Sequence, residues 1–315
     1  MLLALIIAST SQIIFATHPN GSSASLNTEE NDPYKVREFE IDGPGLINAF
    51  TITGNISVEY VENSNTARVE LFVDRGIAFW SSSKNLDNYR INMLKRGNEI
   101  IASVEPKSTD RGLFDDKITF SFKIYVPREM STQLKTSGGN IMVSGLIGNH
   151  TIKNSGGSVT VTNSRGRIAA YTLGGDIQVD KSSGTIFVQT DGGNITVNDS
   201  GGELRLLTTA GTVTANRVEG SMLALVQGGD IYAQFESVAQ GINLETKAGN
   251  ITLVTPHYYG YDLTLSGTQV NIPTSTNFSG QRRNNYVSGQ INGGDKTIVL
   301  TTSYGTINLN LTGQQ

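Results

Sequence analysis

Gly138-Gly139-Asn140-Ile141-Met142-Val143 returns 18 positions later as Gly156-Gly157-Ser158-Val159-Thr160-Val161, then as Gly174-Gly175-Asp176-Ile177-Gln178-Val179 and Gly192-Gly193-Asn194-Ile195-Thr196-Val197. Between these strings glycine also falls at Gly148, Gly166, Gly184, Gly202 and Gly220, so glycine recurs at every ninth position from Gly139 to Gly229. The doubled glycine marks alternate nines, with Ala210 replacing its first member once, and the full unit is therefore a pair of unlike nines. A short fixed period is the signature of a solenoid, whose units bury their apolar faces only by stacking on one another.

Two columns follow each doubled glycine: Ile141, Val159, Ile177, Ile195, Val213 and Ile231, then Val143, Val161, Val179, Val197, Ala215 and Ala233. The alternate halves give His150, Ile168, Ile186, Leu204 and Met222, then Ile152, Ala170, Val188, Leu206 and Ala224; only His150 departs from apolar character. Residues between the columns are mostly polar, as at Ser158, Thr160, Gln178, Thr196 and Thr214. Apolar positions two apart describe a strand with one buried face, and glycines so closely spaced would each cost a helix about 1 kcal/mol. The sequence therefore predicts an all-β fold. Its expected form is a single-stranded parallel β-helix (β-solenoid), coiled right-handed by the general preference of parallel crossovers, with 18-residue coils about 4.8 Å apart.

The chain has 315 residues, 35 of them glycine and none cysteine, which excludes disulfides, thiolate metal sites and a cysteine nucleophile. A net charge of −4 lacks the basic footprint of a nucleic-acid partner. Met1 to Ala16 reads as a signal peptide, apolar but without a leading Lys or Arg, followed by a flexible polar lead over 17–33. Residues 34–133 are expected to be irregular strands that begin and cap the solenoid, residues 134–254 the regular stack, and 255–315 further coils interrupted by an irregular loop at 273–290. After Gly229 the next matching glycine is Gly249, which places two extra positions near Phe235 to Gln240.

Phe122-Lys123-Ile124-Tyr125-Val126-Pro127, Ser137-Gly138-Gly139-Asn140-Ile141, Ile291-Asn292-Gly293-Gly294 and Tyr304-Gly305-Thr306-Ile307 together resemble the bacterial putative-adhesin family, a domain of unknown function found in exported β-solenoid proteins. The likeness spans roughly Tyr34 to Leu311. It implies a fold and export; it carries no catalytic motif.

The residues themselves weigh against chemistry. Asn140, Ser158, Asp176, Asn194, Thr212 and Asp230 form the column that calcium would need, but its two carboxylates are three coils, about 14 Å, apart, and one ion is not bridged over that distance. Polar turn residues that bond their own backbone are the simpler reading. Three histidines, His18, His150 and His257, are scattered, and no nucleophile elbow accompanies them. No catalytic residue, metal or cofactor is expected. Aromatic and basic side chains in irregular segments supply candidate ligand contacts: Trp80, Tyr258, Tyr259, Tyr261, Arg282 and Arg283. The competing reading makes the aromatics plugs for the two ends of the stack.

The expected function is that of a non-catalytic protein of the periplasm, outer envelope or cell surface, adhesin-like or a scaffold. A cell-surface glycan or an envelope protein is the expected partner, with no transmembrane span after signal cleavage. The alternatives are a polysaccharide-cleaving β-helix enzyme and a periplasmic partner in envelope stress.

Overall fold

The computed structural model describes residues 32–76, 86–107, 118–274 and 277–313, and the account below concerns the unit that starts at Pro33. The stretch expected to be a signal peptide, nearly all of the expected polar lead and Trp80 lie outside the described residues. Among the described residues every element but one short 3-10 turn, Leu86–Asn88, is a strand, and the strands join into one long sheet that goes nearly round an axis.

The N-terminal strands are β1 (Lys35–Glu40), β2 (Gly45–Thr51), β3 (Ile56–Tyr60), β4 (Thr66–Asp74), β5 (Tyr89–Arg96), β6 (Glu99–Pro106), β7 (Thr119–Val126) and β8 (Met130–Thr136). β2 lies between β6 and β8, and β3 lies between β7 and β9 (Ile141–Ser144), all parallel. The later pair β6 and β7 is thus outermost, and antiparallel strands finish this end: β5 on β6, and β4 then β1 on β7. Antiparallel cover is one way to close a sheet edge that would otherwise remain a template for further pairing.

Long and short strands then alternate: β10 (Ile147–Asn154), β11 (Val159–Thr162), β12 (Arg165–Thr172), β13 (Ile177–Asp180), β14 (Ser183–Thr190), β15 (Ile195–Asn198) and β16 (Gly201–Ala210). Like pairs with like. His150, Ile168, Ile186, Leu204 and Met222 are successive partners on the wide side, and Ile141, Val159, Ile177, Ile195 and Val213 on the narrow side, each parallel and 18 positions on. Both sets are buried in one continuous core that runs from Ile41 to Leu309.

β17 (Val213–Gly228) and β18 (Ile231–Ala248) each serve both sides. Val213 faces Ile231, one full repeat on, whereas Met222 faces Ile242, two positions further than a repeat, so the extra residues are absorbed opposite Ser221 without breaking the stack. β19 (Ile251–Pro256), β20 (Tyr261–Ser266), β21 (Gln269–Asn271), β22 (Phe278–Arg283), β23 (Tyr286–Ile291), β24 (Lys296–Tyr304) and β25 (Thr306–Thr312) complete the fold. Here too chain order and stacking order part: β24 inserts between β18 and β20, and β25 between β19 and β21. The stretch expected as an irregular loop, 273–290, instead forms most of an antiparallel hairpin, β22 on β23, with β23 paired to β20. β22 shows no alternation because only its backbone pairing holds it, and five of its six residues are exposed.

Candidate functional site

Tyr261 and the other expected contact residues do not meet in one site. Tyr261 is fully buried and donates its hydroxyl to the Pro256 carbonyl at 2.7 Å, and burial pushes its pKa up to about 12, so it is a core residue rather than a ligand contact. Tyr259 stacks at 4.5 Å from Tyr258 and lies 5.9 Å beneath the Lys296 ammonium. Of the three tyrosines only Tyr258 is well exposed, and its hydroxyl donates to the Glu236 carbonyl at 3.3 Å. Tyr261, Ile291 and Phe278 are partners at one end of the β20–β23–β22 layer, while Ser266, Tyr286 and Arg283 are partners at the other. Five residues of strand, roughly 17 Å, separate those ends, so the tyrosines and arginines cannot grip one small ligand. Arg282 is occupied with the Ile272 carbonyl at 3.0 Å.

The polar column weighed for calcium has a different use. Asn140 accepts the Ser158 amide at 2.9 Å, Asp176 the Asn194 amide at 2.8 Å, Asn194 the Thr212 amide at 2.9 Å and Asp230 the Asn250 amide at 2.7 Å. These side chains bond backbone 18 or 20 positions further on, not their own as the sequence suggests. On the narrow side, a second ladder runs outside: Thr162 donates to Ser144, Asn198 to Asp180 at 2.8 Å and Asn216 to Asn198 at 2.8 Å. Beside it Arg217 clasps Asp199 with bonds of 2.7 and 2.8 Å, and that hydrogen bonding holds the carboxyl below its usual range. Among the described residues no three His, Cys, Asp or Glu side chains gather as a metal set.

The wide side differs. Its outward positions carry Ala169, Phe187, Arg205 and Leu223 in one column and Tyr171, Gln189, Leu207 and Leu225 in the next. Tyr171 and Phe187 hold their rings 5.3 Å apart and tilted by 45°. Leu173 stands 58% exposed at the margin. Shallow concavities lie along this surface: one between Gln189, Leu207, Leu225 and Lys247, and a larger one of about 600 Å³ bounded by Lys135, Lys153, Arg167, Tyr171 and Leu173. An outer strand face needs no apolar residues for folding, so a row of them on consecutive strands marks a surface for contact, whereas the narrow side is mostly polar outside, with Met142 and Tyr232 its exceptions.

Sequence reasoning missed these residues although the signal is present. Ile186-Phe187-Val188, Leu204-Arg205-Leu206-Leu207 and Met222-Leu223-Ala224-Leu225-Val226 break the wet and dry alternation in consecutive coils. Reading only the inward columns hides that break.

The model of the Toastrack DUF4097 family matches residues 51–310, which is most of the chain and takes in both faces. This chain belongs to the Toastrack DUF4097 family. Solved structures with similarity to this Toastrack chain include a putative adhesin from Bacteroides fragilis NCTC 9343, at 13% identity over 87% of this chain and 96% of that one, with a TM-score of 0.38. A putative cell adhesion protein from Clostridium sporogenes ATCC 15579 is 12% identical over 88% and 99% of the two chains, with a TM-score of 0.20. A putative lipid binding protein from Parabacteroides distasonis ATCC 8503 is 11% identical over 88% and 97%, with a TM-score of 0.37. Superposition at that level transfers no site to the Toastrack chain. Comparison with curated proteins gives no match.

Proposed function

We propose that this Toastrack protein is a non-catalytic binding module of the cell envelope or surface, and that it docks a macromolecule on the outer face of its wide sheet. The observation that carries the reading is the asymmetry of the two outer faces: Phe187, Leu207, Leu223 and Leu225 on one, a self-bonded polar ladder on the other. A non-catalytic role is favoured because five acids of the regular section are already engaged. Asp176 and Asp230 hold backbone amides, Asp180 accepts from Asn198 and Gln178, Asp199 pairs with Arg217, and Glu203 with Arg205 at 2.7 Å. A glycosidase needs two carboxyl groups free to protonate a leaving group and to attack or activate water.

The finer architecture belongs to the same reading: a right-handed, single-stranded parallel β-helix of 18-residue coils, favoured by the repeating register of the wide-side strands and by the handedness of parallel crossovers. Export is proposed from the apolar stretch Met1 to Ala16.

Retention of the full chain on isolated cell-envelope fractions tests the function. Leu207→Gln with Leu225→Gln should abolish retention while leaving the melting temperature close to that of the parent, because both side chains are only half-buried and no like charges are set opposite one another. Retention that survives the double variant overturns the assignment of the wide face.

A further inference from the structure

The geometry points to an anionic polysaccharide as the occupant of the wide face, an inference that rests on the reading of that face as the docking surface. The concavity of about 600 Å³ is lined by Lys135, Lys153 and Arg167, with no carboxylate among its lining residues. Lys135 and Lys153 are direct partners on neighbouring strands, and Lys153 is in turn the partner of Tyr171. Like charges placed opposite one another on a sheet destabilise it, so the pair has no purpose in folding. Elsewhere the surface shows the opposite habit: Arg68 sits on Glu38 and Glu70, Arg205 on Glu203, Arg217 on Asp199. Among the described residues none of the three cations in the concavity makes a salt bridge, and Lys135 has only the Phe50 ring at 5.7 Å. An anion brought in by a ligand would relieve that repulsion.

The floor chooses the kind of anion. Tyr171, with the Phe187 ring tilted against it, and the exposed Leu173 give an apolar surface beside the charges, suited to the C–H face of a sugar ring whose edge hydroxyls remain wet. Lys135, Lys153 and Arg167 stand on three successive strands of the wide side, with Arg167 four residues along the strand from the lysine row, a spread of roughly 16 Å, which suits a chain with repeated carboxylate or sulfate groups better than one small ion. Lys supplies compact charge and Arg a planar fork for a carboxylate or sulfate. A bilayer is less suited, since the apolar side chains are set among strand neighbours rather than raised on a protruding amphipathic segment.

Affinity electrophoresis of the full chain in gels containing polygalacturonate, with dextran as the neutral control, tests the inference. Retardation is expected in polygalacturonate and not in dextran, weakening as salt rises. Lys153→Gln and Arg167→Gln should each weaken it about tenfold, and Tyr171→Ala by a similar factor, with the melting temperature unchanged for Arg167→Gln and slightly raised for Lys153→Gln, which relieves the lysine pair. Absence of retardation overturns the inference, as does retardation that ignores Lys153 and Arg167. Binding of single-stranded DNA or of phosphatidylglycerol vesicles through the same cations, with polygalacturonate inert, also overturns it. Failure here while envelope retention still depends on Leu207 and Leu225 rejects only the glycan; loss of both dependences rejects the wide face itself.

Discussion

The two members of a glycine pair are unequal. Gly157 has φ of +119°, and a Cβ there would come 2.3 Å from the Gly139 carbonyl oxygen, because each corner nests on the one beneath it. Gly174 has nothing within 4 Å of the same added atom, and Ala210 and Ala248 already occupy its column. Gly157→Ala is therefore expected to destabilise by about 3 kcal/mol, and Gly174→Ala to stay within about 0.5 kcal/mol of the parent, in urea unfolding. Equal losses would reject the nesting of corners. The nine-residue period already singles out the second member, since Ala210 and Ala248 replace only the first, but the reason for the difference, the close approach of the neighbouring corner, is not written in the sequence. His150 is the residue-scale exception. It is buried, its Nδ1 lies 3.2 Å from the Thr132 hydroxyl, its Nε2 has no partner among the described residues, and burial lowers its pKa from 6.5 to about 4. The unfolded chain binds the proton more readily. The stabilisation is fully present above pH 6.5 and is lost as pH falls from 6.5 to about 4, in total about 3 kcal/mol. Replacing His150 by Ile, as at Ile168 in the same column, with Thr132→Val to avoid orphaning the hydroxyl, should flatten the melting temperature across that window. Parallel pH profiles for parent and double variant would refute it.

The strands are held at their corners by a polar column hidden inside. Thr172 donates to the Gly157 carbonyl at 3.1 Å, Thr190 to Gly175 at 2.9 Å, Thr208 to Gly193 at 2.9 Å and Thr246 to Gly229 at 2.9 Å. Asn154 fills the same place with two bonds, to Gly139 at 2.8 Å and Gly157 at 2.9 Å, and Val226 is the break in the series. Thr190→Val keeps shape and removes one such bond, so a loss of about 1 kcal/mol is expected in urea unfolding; no loss would show that the ladder is dispensable. The inward aliphatic columns were readable before the structure because burial forces an alternation of two. The threonines were not, since threonine also suits an exposed strand position, and only its distance from the next coil's carbonyl separates the two uses. The candidate site was legible to a smaller degree. Clustered aromatics at Tyr258, Tyr259 and Tyr261 are what a loop-borne site looks like in sequence, yet Tyr261 is core and the useful apolar residues stand on regular strands. β22 was hidden for another reason: Phe278 to Arg283 has no apolar period, and pairing with β23 alone makes it a strand.

Taken as a whole, the unit beyond Pro33 is repetitive in its middle and interleaved at both ends, and deletion should have opposite consequences in the two places. Removing residues 175–192 joins Gly174 to Gly193, keeps the glycine pair, and returns β12 to a long partner in β16 and β11 to a short one in β15. Nearest-neighbour energetics then predict a folded protein of somewhat lower stability. Removing only 175–183 would feed the long strand β14 directly after the long strand β12, and every later residue would meet the wrong side. At the C-terminal end, removing 296–315 takes away β24 and β25, the layer through which β20 and β21 attach to β18 and β19. The hairpin β22–β23 would lose its support with them, because β23 reaches the stack through β20. The C-terminal deletion should therefore lower the melting temperature more than the loss of one whole repeat from the middle. Circular dichroism melts of the three deletions decide it: a strand spectrum and one cooperative transition are expected for the whole-repeat deletion and not for the half-repeat one. A C-terminal deletion that melts above the whole-repeat variant would refute the locking role of the inserted strands.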